Sequence, residues 1–359
     1  MRSVVVLFGI LCAISVKAQD KKQITRDSTD LVLASAYILQ TEKMPRLTRP
    51  NPFPFDTIIV RDVRFDTSNI GATNSIDFLT KKSNFVFITF KSGLSAFLND
   101  RLNRPAASQF DSLSERLLCY IRKFRMTEVD TSYLSSPKRF RQVQIRSAID
   151  AFYYKQGRLY PAFKSDTIFL QSFPENKRRY HIIDSLILAF LEKARKIDKQ
   201  AALNRRSFSE AYVDSMYRLR FNLPILTAKT LKPGVYTTVK EFLNNNPSIE
   251  EFQWKPDRDV NILYTRENNG NWVVTRREVF GFCDGKYMWF KVENSFFPAF
   301  QKGNAFVVIA PLYLKSKKTK GNTYTYITKE GPRTYGNVHV VDEKDKSVYQ
   351  LDMDTGEFY

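Results

Sequence analysis

The chain of 359 residues carries 56 Lys and Arg against 37 Asp and Glu, and its formal net charge is +19. Its 43% of hydrophobic residues, with 29 Phe and 18 Tyr, can build packed cores, and the length is typical of about two domains. Three cysteines are too few for a disulfide-stapled scaffold, so that class is excluded.

The first eighteen residues have the pattern of a cleaved secretory signal. Arg2 is followed by an apolar run from Val4 to Val16 and by the small residue Ala18, and this order predicts cleavage after residue 18. Leu11 stands before Cys12, where a lipoprotein signal needs a small residue, so no lipid anchor is predicted. No later segment reaches the roughly 20 apolar residues of a membrane-spanning helix. We therefore expect a periplasmic or secreted protein, with no transmembrane segment after signal removal.

Residues 19–54 form a polar, proline-rich lead-in. Weak helical character around Leu31 to Leu39 is followed by four prolines. Proline lacks an amide donor and fixes its own torsion, so this stretch is expected to be extended. Two domains are predicted after it, a basic α+β domain over residues 55–225 and a mostly-β domain over residues 229–359.

The first predicted domain opens with strands and a short helix. The runs Thr57 to Phe65 and Phe85 to Phe90 are typical of strands, whereas apolar residues recur at helical spacing over residues 94–102. Residues 113–126 fit either a helix or a strand that is buried on both faces, and we favour a strand from Leu117.

A hairpin and a long helix follow. Aromatic and β-branched runs at residues 143–154 and 159–170 flank a turn in which Gly157 can adopt a positive φ. A wide apolar stripe from Ile182 to Ala194 predicts a helix, and residues 200–228 are either a helix or a linker. The domain is expected to be a mixed sheet with helices packed on one face.

The second domain is predicted to be almost entirely β. Thr238 can cap a short helix through Phe242, and Asp284 has the sequence context of a hairpin turn. Short alternating runs separated by turn sequences predict strands over residues 261–265, 272–276, 279–282, 287–292, 305–314, 323–328, 338–341 and 348–353. This spacing indicates a mostly antiparallel barrel or sandwich, and the fold class is α+β.

Residue types that bind metals or act as nucleophiles are scarce. His181 and His339 fall in different predicted domains without a second ligand nearby, which argues against zinc. Cys119 and Cys283 are expected to be buried free thiols, with an interdomain disulfide as the alternative. The sequence has neither a glycine-rich phosphate loop nor a serine-nucleophile motif. We therefore expect no catalytic residue set, no metal and no cofactor.

The enzyme interpretation depends on carboxylates. Asp62 and Asp66 flank Arg64 at the end of the first predicted strand, and Asp56 precedes that strand. A glycosidase needs two acids across a cleft, and their spacing in sequence is unconstrained. The alternative is that these acids cap turns and pair with Arg61 and Arg64.

The positive charge is concentrated in the first half of the chain. Residues 19–228 carry 35 Lys and Arg against 21 Asp and Glu, whereas residues 229–359 carry 19 against 16. Basic clusters occur at residues 138–141, 177–180, 205–206 and 315–320. For an exported protein this charge predicts anionic lipid headgroups, acidic glycans or acidic proteins as partners, and no nucleic acid. The alternative is that it maintains solubility and protects sheet edges.

Two resemblances concern compartment and architecture. The chain resembles uncharacterised exported proteins of the Bacteroidota type through Gly281 to Phe290, Leu231 to Tyr236, Glu241-Phe242 and Asn246 to Ser248. That resemblance implies export and no particular activity. Residues 57–102, with Ile59 to Arg64 and Ile70-Gly71, are similar to the start of periplasmic transport-auxiliary lipoproteins, which implies a transport accessory role.

The sequence thus predicts an exported, non-catalytic binding or envelope-assembly protein. Its partner is expected to be an anionic envelope component or another exported protein. Two alternatives stay open, a carboxylate-based hydrolase acting on glycans and a transport accessory protein. A deep cleft holding two acids about 5–10 Å apart would favour the hydrolase.

Overall fold

A computed structural model describes most of the chain after residue 35. The described residues are 36–39, 53–76, 83–103, 115–130, 140–174, 180–257, 260–267, 269–275, 278–292, 295–311, 313–315, 324–328, 331–335, 338–340 and 346–358. The fold is mixed α+β, as predicted, with a mixed sheet followed by antiparallel sheets.

The first sheet is eight-stranded and curls into a half-barrel. Its strands are β1 (Ala36–Leu39), β2 (Thr57–Asp62), β3 (Gly71–Ile76), β4 (Ser83–Phe90), β5 (Arg116–Asp130), β6 (Phe140–Lys155), β7 (Arg158–Pro174) and β8 (Phe208–Ser209). They lie in the order β1-β4-β3-β5-β6-β7-β8, and β2 also pairs with β5. The β1–β4, β2–β5 and β3–β5 pairs are parallel, and the rest are antiparallel.

Helices cover one face of this sheet, as predicted. They are α1 (Gly93–Asn103), α2 (Tyr180–Arg195) and α3 (Lys199–Leu203), and their buried side chains share one core with the sheet. A fourth helix, α4 (Glu210–Leu219), packs on the opposite face, where Val213 and Tyr217 meet Leu118, Tyr120 and Leu159. Because β5 contributes to both cores, its residues 117–121 are all buried, which confirms the strand that we favoured there.

Local sequence signals account for most of these elements. The hairpin of β6 and β7 turns at Gln156 and Gly157, and Gly157 has the predicted positive φ. Gln156 also has a positive φ, which was not predicted. The weak helical assignment at residues 31–39 was wrong where the chain is described. Ala36–Leu39 is a strand, because its backbone pairs with β4 and Leu39 enters the core.

The second half of the chain is mostly antiparallel β, as predicted. After α5 (Pro224–Thr227) and β9 (Gly234–Tyr236), α6 (Val239–Leu243) begins at the predicted cap, where Thr238 accepts a hydrogen bond from the amide of Glu241. The strands that follow are β10 (Phe252–Asp257), β11 (Val260–Arg266), β12 (Trp272–Val274), β13 (Gly281–Cys283), β14 (Met288–Val292), β15 (Ser295–Lys302), β16 (Ala305–Pro311), β17 (Tyr313–Lys315), β18 (Tyr324–Thr328), β19 (Gly331–Tyr335), β20 (Val338–Val340) and β21 (Lys346–Gln350).

These strands form a six-stranded sheet, β21-β16-β15-β14-β13-β9, and a three-stranded sheet, β10-β11-β12. Two further ribbons pair β17 with β20 and β18 with β19. The three-stranded sheet packs on one face of the larger sheet through Leu263, Phe282 and Trp289. The other face carries an aromatic core centred on Phe242 and Phe290. The sandwich expectation is met by this layered arrangement.

The first sheet and the six-stranded sheet meet along β21. Ala72, Val307 and Val348 form a small buried cluster between them. Beside it, Arg125 donates one hydrogen bond to the side chain of Gln350 (2.9 Å) and one to the carbonyl of Val348 (2.6 Å). Strands β5 and β21, more than 200 residues apart in sequence, are thereby joined through buried contacts.

No helix in the described part of the chain is both long and apolar enough to cross a membrane.

Candidate functional site

A cleft of about 430 Å³ opens beside the end of β2. Strands β2 and β3 pair with successive parts of β5, so the chain leaves the sheet between them as a loop over residues 63–70. Helix α4, the segment after it and the β15–β16 turn close the other sides. The lining residues are Arg61, Asp62, Val63, Arg64, Phe65, Thr67, Asp214, Arg218, Phe221 and Asn304.

The loop returns to the sheet at a glycine that no other residue could replace without strain. Gly71 has a φ of +150°, and a Cβ built there would lie 1.8 Å from the carbonyl oxygen of Met126. At the preceding residue, the amide of Ile70 donates to the carbonyl of Ile88, and the carbonyl of Ile70 accepts from the amide of Met126. The wall of the cleft is therefore fixed by backbone contacts.

Arg64 is buried and holds the loop against β5. Its guanidinium bonds to both carboxylate oxygens of Asp62 (2.8 and 2.7 Å). The remaining nitrogen donates to the carbonyls of Asn69 (2.7 Å) and Phe124 (3.1 Å). Because its donors are used within the protein, Arg64 has a structural role.

The acids singled out by sequence serve this loop. Asp66 accepts hydrogen bonds from the amide (2.8 Å) and hydroxyl (2.6 Å) of Ser68 and from the side chain of Asn69 (2.6 Å). Asp56 accepts from the amide of Glu115 (2.9 Å). Asp62 lines the cleft, but both of its oxygens bond to Arg64. The predicted turn role is confirmed for Asp66, and the predicted pairing with Arg64 is confirmed for Asp62. The predicted pairing of these acids with Arg61 was wrong, because Arg61 pairs with two acids of α4.

Arg61 pairs with residues that the sequence did not point to. One of its nitrogens donates to both oxygens of Asp214 (2.6 Å each), and the other contacts the carboxylate of Glu210. Both acids lie on α4, one turn apart. Burial alone would lower the pKa of Arg61, but the hydrogen bond to Asp214 and the nearby negative charges raise it. The guanidinium therefore stays charged and fixes α4 to the sheet.

Tyr120 supports the same contact from beneath. Its hydroxyl donates to Asp214 (2.8 Å), and its ring stacks on Tyr217 at 4.6 Å between centroids. Burial, assisted by the bond to Asp214, raises the pKa of Tyr120 well above its usual range. The phenol is thus a fixed hydrogen-bond donor. The sequence signal available for this site was the spacing on α4, where the acids Glu210 and Asp214 and the apolar residues Val213 and Tyr217 each lie four positions apart.

Arg218 differs from the other arginines of the cleft. It is exposed on α4, and no described residue forms an ion pair or hydrogen bond with its guanidinium. Three arginines and two aspartates line the cleft, so the lining itself carries one excess positive charge. Glu210, which also contacts Arg61, lies outside the lining. Phe65 and Phe221, in edge-to-face contact at 5.2 Å, form the apolar wall nearby. The cleft can therefore receive a group that is anionic at one end and apolar at the other.

The remaining sequence candidates lie elsewhere. Asp284 is a turn residue, as predicted, and accepts hydrogen bonds from the amides of Lys286 (2.8 Å) and Tyr287 (2.6 Å). Cys119 and Cys283 are buried and free, which confirms the thiol assignment, and burial raises the pKa of each. Neither cysteine lines the cleft.

The histidines and most of the basic clusters cannot be placed in a site. His181 is the second residue of α2 and His339 lies in β20, but their side chains fall outside the described residues. The same holds for the side chains of clusters 138–141, 177–180 and 315–320. Arg205, in the remaining cluster, donates to the carbonyls of Pro161 and Ala162. Among the described side chains, no group of three or more His, Cys, Asp or Glu could hold a metal ion.

Comparison with known proteins finds no matching family model, no similar curated protein and no similar solved structure, so a function can be proposed only from the geometry of the molecule.

Proposed function

We propose that this chain is an exported, non-catalytic binding protein of the cell envelope, and that its cleft holds an acidic group of an envelope glycan. The observation that carries the proposal is Arg218, the lining charge that no described residue neutralises. A cleft of about 430 Å³ lies within the size range of small-ligand sites.

The chemistry of the lining favours an anion. A ligand carboxylate would accept a charge-assisted hydrogen bond from Arg218, and guanidinium geometry suits such a bond. Arg61 and Arg64 are already satisfied, so they shape the cleft and add no binding charge of their own. The rings of Phe65 and Phe221 would contact the apolar part of the ligand.

A binding role fits the acids better than hydrolysis does. A glycosidase needs one carboxyl to donate a proton and another to act on the sugar or on water. Both oxygens of Asp62 and both oxygens of Asp66 are instead occupied by contacts within the loop. The hydrolase alternative therefore has less support than binding.

The test is a titration of residues 19–359 with a galacturonate oligosaccharide, followed by calorimetry. The free acid should bind, and its methyl ester should bind much more weakly. Arg218→Ala should weaken binding of the acid by about tenfold, because a hydrogen bond to a charged group is lost. Arg195→Ala, which removes an exposed arginine of α2, is the matched control and should change little. Equal affinity for acid and ester, or no effect of Arg218→Ala, would reject the cleft as an anion site.

Export is the second part of the proposal. The chain recovered from the extracytoplasmic fraction should begin at Gln19, as N-terminal sequencing would report. Recovery of the intact chain from the cell interior would contradict export. Stable co-purification with an envelope transport complex would instead favour the transport-accessory alternative.

A further inference from the structure

Helix α4 has an apolar outer face. Tyr212, Met216 and Leu219 lie at positions i, i+4 and i+7 and are 50%, 50% and 66% exposed. In the described part of the chain, these are three of the seven exposed large apolar side chains, and they share one helix of ten residues. The opposite side of the helix packs on the sheet through Val213 and Tyr217. No layer of described residues therefore covers the outer face.

The apolar face continues beyond the helix. The ring of Phe208 stacks on Tyr212 with centroids 5.5 Å apart and planes 10° apart. The guanidinium of Arg206 lies over the Phe208 ring at 5.7 Å. We call Phe208, Tyr212, Met216 and Leu219 the α4 stripe.

Positive charge borders the stripe at both ends. Arg206 lies beside Phe208, and Arg218 precedes Leu219; both are exposed, and neither has an acidic partner among the described residues. The two acids of α4, Glu210 and Asp214, are both paired with Arg61. The surface around the stripe is therefore apolar and cationic, without competing free acids on the helix.

We propose that the α4 stripe docks on the surface of an anionic lipid bilayer. An amphipathic helix with apolar side chains and flanking arginines lies in the plane of such a surface, with its apolar side chains at the headgroup boundary. Each nearby arginine gains further attraction from anionic lipid. The stripe is the outward face of a single helix and not a groove, so it suits a deformable surface better than it suits a partner helix.

Docking is independent of the ligand of the cleft. Arg218 borders both sites, whereas Arg206, Met216 and Leu219 do not line the cleft. Variants at these three positions therefore test the stripe while leaving the titration with galacturonate unchanged. Retained glycan binding with lost vesicle binding would separate the two proposals.

The experiment is co-sedimentation of residues 19–359 with vesicles of phosphatidylcholine containing one part in three of phosphatidylglycerol. The wild-type chain should bind these vesicles and should not bind pure phosphatidylcholine. Met216→Ser with Leu219→Ser should lower the partition coefficient by about tenfold, since two apolar side chains are lost from the contact. Leu188→Ser is the matched control, because Leu188 is an exposed leucine on α2 (41%) and should have no effect.

A second measurement reports on the stripe directly. An environment-sensitive dye on Met216→Cys should shift its emission to the blue with anionic vesicles, whereas the dye on Leu188→Cys should not. Arg206→Ala should weaken binding at low salt and have less effect at high salt. Absence of wild-type binding, or equal binding by the double serine variant, would overturn bilayer docking and leave a protein partner as the occupant of the stripe.

Discussion

The two halves of this molecule are held together by different kinds of contact. Around the first sheet, charges are paired in the interior, as in the buried pairs Arg64–Asp62 and Arg101–Asp184 and the partly buried pair Arg122–Asp150. In the described residues after 228, the ion pair within that half is the exposed Arg266–Glu251 contact. Its interior is instead a cluster of aromatic rings around Phe242, Phe282 and Phe290.

The difference teaches how each half specifies its shape. Ion pairs are directional, and removal of one partner leaves an uncompensated buried charge. Aromatic rings are less directional, so their loss costs mainly contact area and cavity formation. The cleft belongs to the first kind, since its arginines and aspartates fix one loop and one helix against the sheet. In the first half, a second substitution that removes the partner charge should restore part of the stability lost by the first substitution. In the second half, stability should instead follow the volume of the side chain that is removed.

The largest expected effect is in the aromatic core. Phe242 is fully buried, and its ring lies 5.0 Å from Phe290, 5.2 Å from Phe306 and 5.4 Å from Phe280. Phe242→Ala should lower the free energy of unfolding by about 4 kcal/mol, measured by urea denaturation. Phe242→Leu keeps most of the volume and should cost about 1 kcal/mol. Equal losses for the two variants would contradict a core held by packing.

The next effect concerns the buried ion pair of the cleft loop. Arg64→Met should cost about 3 kcal/mol in the same assay, because Asp62 is left buried without its partner. Galacturonate binding should weaken as well, since the loop wall loses its attachment to Asn69 and Phe124.

The matched control removes both charges. Arg64→Met with Asp62→Leu should recover a substantial part of the lost stability, because no charge stays unpaired in the interior. A double variant that is as unstable as the sum of the single variants would argue that Arg64 acts through its carbonyl contacts alone. This non-additivity is what distinguishes the first half from the second.

The sequence predicted the fold where the pattern was local. The β6–β7 hairpin, α2 and the capped helix α6 each carry their signal within a few residues. The missed strands include β3, β9, β10, β15 and β19. Pro298 explains the omission of β15, because proline usually excludes a central strand. β1 was misassigned because its strand character depends on pairing with β4, about fifty residues away.

The site was predicted only in part for the same reason. The acids near Arg64 were correctly connected to their own loop, since Asp66 bonds to residues two and three positions away. The pairing of Arg61 with Glu210 and Asp214 spans about 150 residues, and no local pattern encodes such a contact. Arg218 carries no distinctive sequence signal, because what sets it apart is that no described residue pairs with its guanidinium.

The smallest expected effect concerns Glu241, a carboxylate in the aromatic half whose contribution to stability depends on pH. Glu241 is partly buried, which by itself would raise its pKa, but hydrogen bonds from the amide (2.7 Å) and hydroxyl (2.8 Å) of Thr237 and from Ser248 (2.9 Å) together lower it. A carboxylate whose pKa is lowered by folding stabilises the protein above its unfolded pKa of about 4.3. That stabilisation is lost as the pH falls through the lowered folded value.

Glu241→Gln should therefore be less stable than wild type at pH 7, by no more than about 1 kcal/mol because solvent screens this partly exposed group.

The stabilities of wild type and Glu241→Gln should converge as the pH falls below about 4. The measurement is the urea midpoint of each protein at a series of pH values. Glu250→Gln, at an exposed position nearby, is the matched control and should show no such convergence. If the difference between wild type and Glu241→Gln instead stayed constant down to pH 3, the cap of α6 would depend on the shape of the side chain and not on its charge. The second half would then have no pH-dependent contact at this helix, and the contrast between its packing and the charge-paired first half would be sharper still.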